Sequence, residues 1–179
     1  MRSADRRARQ RLSPQERTDA ILAAAAGAFT STTYDQVSVS GVAAAAGASE
    51  ALVYRYFENK SGLYTAVVRD QLDRLAARQR EAVSGLHPGT SARDQVRLTI
   101  EAVLDHVRAV QAAWASPFFT GAYEPEAVQD LRRQYRQGFV ASLTDQLQNP
   151  GHRRARLAIV GFLGYLGAAA QQWVDDGCP

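Results

Sequence analysis

The sequence predicts an all-α protein, and three observations support that class. Alanine, leucine, arginine and glutamine, which favour helices, are frequent throughout the 179 residues. Alternating valine and threonine runs, the usual mark of strands, are nearly absent. Apolar residues recur instead at the spacing of helical faces. We expect about nine helices, arranged as an N-terminal three-helix domain with a helix-turn-helix, followed by a helical bundle.

The first helix has a clear start. Ser13 can act as its N-cap, Pro14 suits the first helical position, and Glu16 completes a capping box. An apolar stripe then runs from Ile21 to Phe29 at helical spacing. The polar and β-branched residues 30–35 are expected to end this helix.

Two short helices follow, separated by a tight turn. Ser38 can cap the first, over 39–46, and Ser49 can cap the second, from 50 to about 56. Gly47 can adopt the left-handed conformation that turns the chain between them. Such a pair forms a helix-turn-helix. Spacing alone leaves two interpretations open, a DNA-binding motif and the ordinary packing of a helical hairpin.

Longer helices make up the rest of the chain. Asn59 can cap a fourth helix that runs to about Val83, and the glycines and proline of residues 85–89 break the chain after it. Further helices are expected over 91–114, from 125 to a stop at 149–151, and over 153–174.

The last helix is apolar nearly all round from Leu157 to Ala170, so it must be buried on several sides. Gly161, Gly164 and Ala168 share one face and would let another helix approach closely. We infer a homodimer in which the last two helices of each subunit form a four-helix bundle. The alternative is a central helix inside a monomer. The apolar run is shorter than the ~20 residues of a membrane span, so we expect no membrane partner.

Composition excludes several classes of protein. The single cysteine, Cys178, rules out a disulfide framework and a cysteine-built zinc site within one chain. The histidines at 87, 106 and 152 lack metal-site spacing, and we expect no metal and no cofactor. No nucleophile elbow or phosphate-binding loop is present, so we expect no enzyme. No apolar signal core is found at the N-terminus, which predicts a cytoplasmic protein.

Charge is concentrated at the N-terminus. Residues 1–17 hold six arginines against Asp5 and Glu16, whereas the other residues sum to −1. An arginine-rich arm attracts anionic partners such as nucleic acid. A disordered tail that only adds solubility or non-specific affinity is the competing interpretation.

Residues 37–64 resemble the DNA-binding domain of TetR-type transcriptional regulators. The specific parts are Ala-Ala-Gly-Ala-Ser at 45–49, Val-Tyr-Arg-Tyr-Phe at 53–57, Asn59-Lys60, and Leu63-Tyr64. The likeness extends over roughly residues 13–69. It implies sequence-specific binding of a double-stranded DNA operator.

The third helix would then enter the major groove with its first turn against base edges. Glu50 can accept from a cytosine amino group, and Ala51 can contact a thymine methyl group. Glu50 also suits the helix dipole, which is the alternative explanation for it. Arg55 can bind a guanine or a phosphate.

Other residues are candidates for the DNA backbone. The resemblance implies that Tyr54 contacts the backbone and that Tyr56 contacts backbone or base, although either ring can be core filler instead. Lys60 and the N-terminus of the fourth helix can clamp a phosphate. The hydroxyls of the second and third helix starts offer similar contacts or serve only as caps; they belong to Ser38, Ser40 and Ser49.

Two residues depart from the family pattern. Leu52 stands where relatives often have a small or hydroxyl residue, so no phosphate contact is expected there. Gly62 weakens the first turn of the fourth helix.

The resemblance implies that the second half dimerises and encloses a pocket for a small-molecule effector. Aromatic residues around Pro117 suit an apolar or aromatic ligand, although each can be ordinary core. The candidate lining residues are Leu104, Trp114, Phe118, Phe119, Tyr123, Tyr135, Phe139, Phe162 and Tyr165. His106 can hydrogen-bond a ligand, although we expect it to be a satisfied core or surface histidine.

We therefore divide the chain into a basic flexible arm (1–12), a helix-turn-helix domain (13–60, motif 38–57) and a helical ligand-binding and dimerisation domain (61–179). The predicted function is that of a dimeric repressor, which a small apolar or aromatic ligand releases from a palindromic operator. The alternatives are a helical ligand-binding or scaffold protein without DNA binding, and a ligand-independent regulator or activator.

Overall fold

A computed structural model describes residues 12–87, 89–110, 124–146 and 153–177. These residues form seven α-helices and one 3₁₀ turn, with no strand among them. The α-helices are α1 (Pro14–Ser31), α2 (Val39–Ala45), α3 (Glu50–Phe57), α4 (Lys60–Ser84), α5 (Ala92–Val110), α6 (Glu126–Gln146) and α7 (Arg153–Asp175); the 3₁₀ turn (Tyr34–Gln36) precedes α2. The all-α class is confirmed. The expected number of about nine helices exceeds the seven α-helices of the described residues.

The predicted N-caps of the first four helices are all formed. Ser13 and Glu16 make the reciprocal hydrogen bonds of a capping box at α1. The hydroxyls of Ser38 and Ser49 accept from backbone N–H groups at the starts of α2 and α3, and Asn59 does the same at α4. These caps satisfy otherwise unpaired amides and fix where each helix begins.

Two hydrophobic clusters hold the helices together. The first cluster contains buried side chains from all four of the helices α1, α2, α3 and α4, together with Val128 and Leu131 of α6. The second joins Leu75 of α4 to buried side chains of α5, α6 and α7. Both α4 and α6 contribute to both clusters, so they connect the N-terminal helices to the bundle.

α7 is covered on one side only. Ile159, Leu163 and Ala170 are buried against the bundle. Its other side exposes large apolar side chains, which belong to Leu157, Val160, Phe162 and Tyr165. By length and composition alone, residues 156–175 could cross a membrane, contrary to the expectation from the shorter apolar run. A helix that packs one face into a soluble core and leaves the other uncovered is also typical of an oligomer interface.

Candidate nucleic-acid interface

A tight turn sets the angle between α2 and α3. Gly47 adopts φ 61°, a left-handed conformation that a side chain disfavours. The amides of Gly47 and Ala48 donate to carbonyls in the last turn of α2, at 3.1 and 2.9 Å. Ser49 then opens α3 two residues after the glycine. The predicted helix-turn-helix geometry is therefore present.

α3 packs through a narrow inner face. Val53 is buried, and Leu52 and Phe57 are half-buried. Leu52 thus departs from the family pattern at a position where it packs, which explains an apolar residue there. The outer face exposes five predicted DNA-binding residues, namely Glu50, Ala51, Tyr54, Arg55 and Tyr56.

The two tyrosines of this helix are not core filler. Tyr54 and Tyr56 are 40% and 38% exposed, which leaves both rings at the surface. Tyr56 lies beside Phe57, with ring centroids 6.3 Å apart. The rings and hydroxyls are accessible to a partner that approaches the outer side of α3.

The connection from α3 to α4 is close-packed. A Cβ at Gly62 would lie 2.2 Å from the carbonyl oxygen of Phe57, far inside van der Waals contact. Glu58 turns the chain with φ 60° just before this contact. Gly62 was expected to weaken the first turn of α4, and the structure adds a reason for a glycine there, because the absence of a side chain allows α4 to begin directly beneath the end of α3.

Lys60 points back into the protein. Its Nζ donates to the backbone oxygen of Asp35 at 3.0 Å and lies 4.8 Å from the centroid of the Tyr34 ring. The ammonium group that was expected to bind a phosphate is therefore already hydrogen-bonded to the 3₁₀ turn before α2. An ammonium has three N–H donors, so the bond to Asp35 occupies one of them.

The serine hydroxyls are used locally. Ser38 and Ser49 serve as N-caps, while Ser40 donates to the Ser38 oxygen at 3.4 Å. Ser38, Ser40 and Ser49 are nonetheless exposed at the starts of α2 and α3. Of the three, Ser49 directly precedes the first turn of α3.

A further residue of this region was not predicted from the sequence. Arg17, in the first turn of α1, donates to the backbone oxygen of Gly47 at 3.3 Å. The start of α1 therefore lies against the turn that precedes α3. A separation of 30 residues between donor and acceptor gives no local sequence signal for this contact.

A buried polar network joins α4 to α6, and it too was missed. Glu124 accepts from Arg132 Nε and Nη2 at 2.9 and 2.7 Å, and from the Tyr64 hydroxyl at 2.7 Å. The side chains of Arg132 and Glu124 are only 1% and 6% exposed. Burial, and then the Glu124 charge, raise the pKa of Tyr64, so the phenol remains a donor.

The Tyr64 ring extends this connection toward the helix-turn-helix. It packs on Phe29 and Tyr34, with centroids 4.6 and 5.1 Å away. Tyr34 in turn lies under the Lys60 ammonium. Packed groups thus run from α6 to the start of α4.

A cavity of about 430 Å³ lies among α4, α5 and α6. Tyr135 and Phe139, two predicted lining residues, contribute to it together with Gln79, Arg80 and other side chains. Burial, followed by the hydrogen bond to Asp73, raises the pKa of Tyr135 to about 12, which keeps its hydroxyl protonated.

The other predicted lining residues are placed differently. Leu104 is half-buried on α5 and does not line this cavity, and Phe162 and Tyr165 are exposed on α7 because they face away from the bundle. The four remaining candidates lie outside the described residues, namely Trp114, Phe118, Phe119 and Tyr123.

His106 is buried between helices, 2% exposed, and neither ring nitrogen has a hydrogen-bond partner within the described part of the chain. The expectation of a satisfied histidine is therefore not met there. Burial, assisted by the charges of Arg78 and Arg74, lowers the pKa of His106 to about 4. No group of metal-ligating side chains occurs among the described residues.

Comparison with known proteins agrees with this geometry. Residues 21–67 match the family model described as bacterial regulatory proteins, tetR family. The chain is 26% identical over 173 residues to the HTH-type transcriptional activator FasR of Mycolicibacterium smegmatis, covering 94% of this chain and 77% of FasR.

Two solved structures share the fold at lower identity. The fatty acid degradation regulator FadR from Bacillus halodurans matches with a TM-score of 0.74 and 19% identity, over 94% of this chain and 88% of that one. FadR from Bacillus subtilis, in complex with stearoyl-CoA, matches with a TM-score of 0.73 and 18% identity, over 89% and 88%. The outward α3, the glycine turn and the matched family model together lead to one conclusion: residues 21–67 form a helix-turn-helix domain similar to that of the bacterial regulatory proteins of the tetR family.

Proposed function

We propose that the protein is a homodimer that binds a two-fold symmetric operator through α3 and loses affinity for it when an apolar effector occupies the bundle. The observation that carries the proposal is the exposed outer face of α3, which is attached through α4 to a helical bundle with a cavity. Operator binding by a dimer requires two such helices about 34–36 Å apart.

In this proposal the first turn of α3 reads bases. Glu50 and Ala51 are both exposed there, suited to a cytosine amino group and a thymine methyl group. Arg55 follows on the outer side, within reach of a guanine edge or a phosphate. The accessible hydroxyls of Tyr54 and Tyr56 hold the DNA backbone.

Backbone contacts also come from the helix starts around α3. The exposed Ser38 and Ser49 hydroxyls can donate to phosphate oxygens while their lone pairs accept from helix amides. The exposed Ser40 hydroxyl, which donates to Ser38 in the free protein, can donate to a phosphate instead. Lys60 contributes its remaining N–H donors at the start of α4. These contacts position the protein without reading sequence.

The uncovered face of α7 is the proposed dimer interface. Its exposed apolar side chains flank Gly161 and Gly164, where a Cβ would meet nothing within 4 Å, so a second helix can approach closely. Burying such a surface gains about 25 cal/mol per Å². Pairing with a second copy removes this apolar face from contact with water. We therefore propose a cytoplasmic dimer and not a membrane protein.

The cavity among α4, α5 and α6 is the proposed effector site. Its volume is within the usual range for small-molecule sites, about 300–1,000 Å³. Val83 and Phe139 supply apolar lining, and Arg80 supplies a positive charge. The stearoyl-CoA complex of the Bacillus subtilis regulator suggests a ligand with an acyl chain and an anionic end.

Effector control follows from linkage. A ligand that binds better when the two α3 helices stand at a separation that does not fit the operator lowers the affinity for the operator. By linkage, the bound operator lowers the affinity for the ligand by the same factor. The name of the Mycolicibacterium relative, an activator, supports a second candidate in which the bound protein raises transcription. A reporter fused to the operator distinguishes the two, because deletion of the regulator raises expression for a repressor and lowers it for an activator.

Selection of duplexes from a random pool by the full chain tests DNA recognition directly. The proposal predicts enrichment of an inverted repeat, with half-site centres one helical turn or a multiple apart. Failure to enrich any sequence at moderate salt would overturn the proposal in favour of a helical binding protein without operator recognition.

A further inference from the structure

We propose that the groove between α6 and α7 binds a small anionic amphiphile, a molecule with a carboxylate or phosphate group on an apolar chain. This groove has a volume of about 420 Å³. It shares no lining residue with the cavity among α4, α5 and α6, as far as the described residues show. The inference therefore adds a second ligand site to the proposed function.

The floor of the groove is apolar. Leu163 of α7 is buried there, and Val140 of α6 is half-buried. Val160 is 49% exposed, so much of its side chain is open to a ligand. A Cβ at Gly164 would meet nothing within 4 Å, which leaves space beside these side chains. An apolar chain that lies on this floor loses contact with water, and so does the floor itself.

Three arginines line the same groove. Arg133 and Arg136 come from α6, and Arg156 comes from α7. Among the described residues, the lining contains no carboxylate, and Gln137 is its one other polar side chain. Asp130 pairs with Arg133 from outside the lining. The groove thus combines an apolar floor with cations from both of its walls.

The exposed side of α5 provides a comparison for this charge. Arginines and carboxylates are equal in number there, and Arg97 bonds to Glu101 at 2.7 Å. Mixed charge of this kind is expected of a surface that serves only for solubility. The absence of carboxylates from the described lining of the groove therefore favours an anionic ligand over a solvated face. The charged residues of the α5 side are Arg93, Asp94, Arg97, Glu101, Asp105 and Arg108.

Arg136 is half-buried beside other cations. Burial, and then the charges of Arg132 and Arg133, lower the pKa of Arg136. A lowered pKa means that these surroundings disfavour the charged guanidinium, and an anion in the groove offsets that effect. A guanidinium binds a carboxylate or a phosphate through two parallel hydrogen bonds. Either group at the end of an apolar chain therefore suits the groove.

Direct binding to the full chain, measured by isothermal titration calorimetry without DNA, tests the proposal. The anionic probes are decanoate and decyl phosphate, which share a chain length and differ in the charged group. Decyltrimethylammonium carries a cation on the same chain, and inorganic phosphate is the anion without a chain. We expect one or both anionic amphiphiles to bind the wild type at least about tenfold more tightly than the other two probes.

Matched variants locate the site. The groove variant is Arg133→Gln/Arg156→Gln, and the control variant is Arg93→Gln/Arg97→Gln on α5. Each removes two exposed cations, one of which pairs with a carboxylate of its own helix. The groove variant should bind the anionic amphiphile about tenfold or more weakly, whereas the control keeps the wild-type affinity. Far-ultraviolet circular dichroism and the urea midpoint confirm that both variants fold.

A further variant, Val83→Phe, reports binding at the other site, because it fills part of the cavity among α4, α5 and α6. Weaker amphiphile binding in this variant but not in the groove variant would place the ligand in that cavity and overturn the inference. Equal weakening in the groove and control variants would overturn it as well, since charge anywhere on the surface would then suffice. So would a wild type that does not prefer the anionic amphiphiles.

The oligomeric state provides the remaining outcome. Val160 and Gly164 line the groove and also lie on the uncovered side of α7. If the groove variant sediments as a smaller species than the wild type in the absence of probe, the groove is a contact between two copies and the inference fails. Operator binding is titrated separately with the selected duplex, so a failure of the proposed function is recognised independently of amphiphile binding.

Discussion

The outer face of α3 and the junction between α4 and α6 place polar residues in opposite environments. On α3, Glu50, Tyr54 and Arg55 are exposed and contribute little to the core. At the junction, Tyr64, Glu124 and Arg132 are buried and bonded to one another. The difference indicates that α3 residues are available to a partner, whereas the junction residues hold two parts of the molecule in one arrangement.

The largest effect is expected from breaking the junction. Glu124→Ala removes the carboxylate that pairs with Arg132, a side chain only 1% exposed. Loss of one partner from a buried ion pair typically costs about 3–5 kcal/mol of unfolding free energy. Urea denaturation measures the change. The control Asp70→Asn removes the surface pair with Arg74 and should cost less than about 1 kcal/mol. Similar costs for both variants would contradict the assigned role of burial.

A smaller effect is expected from pH, through His106. Its pKa of about 4 in the folded chain is below the ordinary value of 6.5, so the unfolded chain binds the proton more readily between these values. Stability should therefore fall by up to about 3 kcal/mol as pH drops from 7 to 4. Denaturation of the wild type and of His106→Leu across this range isolates the contribution of the imidazole. Parallel pH profiles for the two proteins would rule it out.

A glycine pair tests the close packing beneath α3. Gly62→Ala places a methyl group 2.2 Å from the Phe57 oxygen and should destabilise the protein by about 1–3 kcal/mol. Gly27→Ala, in an open position of α1, should stabilise it by about 0.5–1 kcal/mol. Thermal unfolding reports both signs. A neutral Gly62→Ala would mean that the α3–α4 connection shifts easily to make room for the methyl group.

The smallest effects on stability are expected on α3, where the effects on DNA binding are large. Arg55→Ala and Glu50→Ala should each change unfolding free energy by less than about 0.5 kcal/mol. Either change should alter discrimination at one base position by about 1–3 kcal/mol if the residue reads a base. Tyr54→Ala should instead weaken binding to all duplexes alike. Titration with single-base variants of the selected operator separates the two patterns.

Local signals predicted the helices well. Ser13, Ser38, Ser49 and Asn59 each carry a capping preference that needs no tertiary context, and Gly47 is a turn residue for conformational reasons. The apolar stripe from Ile21 to Phe29 likewise predicted which side of α1 packs inward. These features depend on neighbours within a few residues of the chain.

Features that depend on distant residues were not predictable. Arg17 meets Gly47 across 30 residues, and Tyr64 meets Glu124 across 60. The requirement for glycine at 62 arises from the backbone oxygen of Phe57, which is near in sequence but belongs to another helix, so helical periodicity does not predict this contact. The aromatic residues of the second half were predicted to line a pocket, but Phe162 lies on the exposed face of α7, since aromatic composition does not reveal which face a helix presents.

The most direct test of the central claim is a titration of the selected operator and of a scrambled duplex with the wild type and with Glu50→Ala/Tyr54→Ala/Arg55→Ala. The account predicts that the triple variant unfolds at the wild-type denaturant midpoint but binds both duplexes with the same weak affinity. A triple variant that still prefers the operator by the wild-type ratio would show that the outer face of α3 does not read DNA.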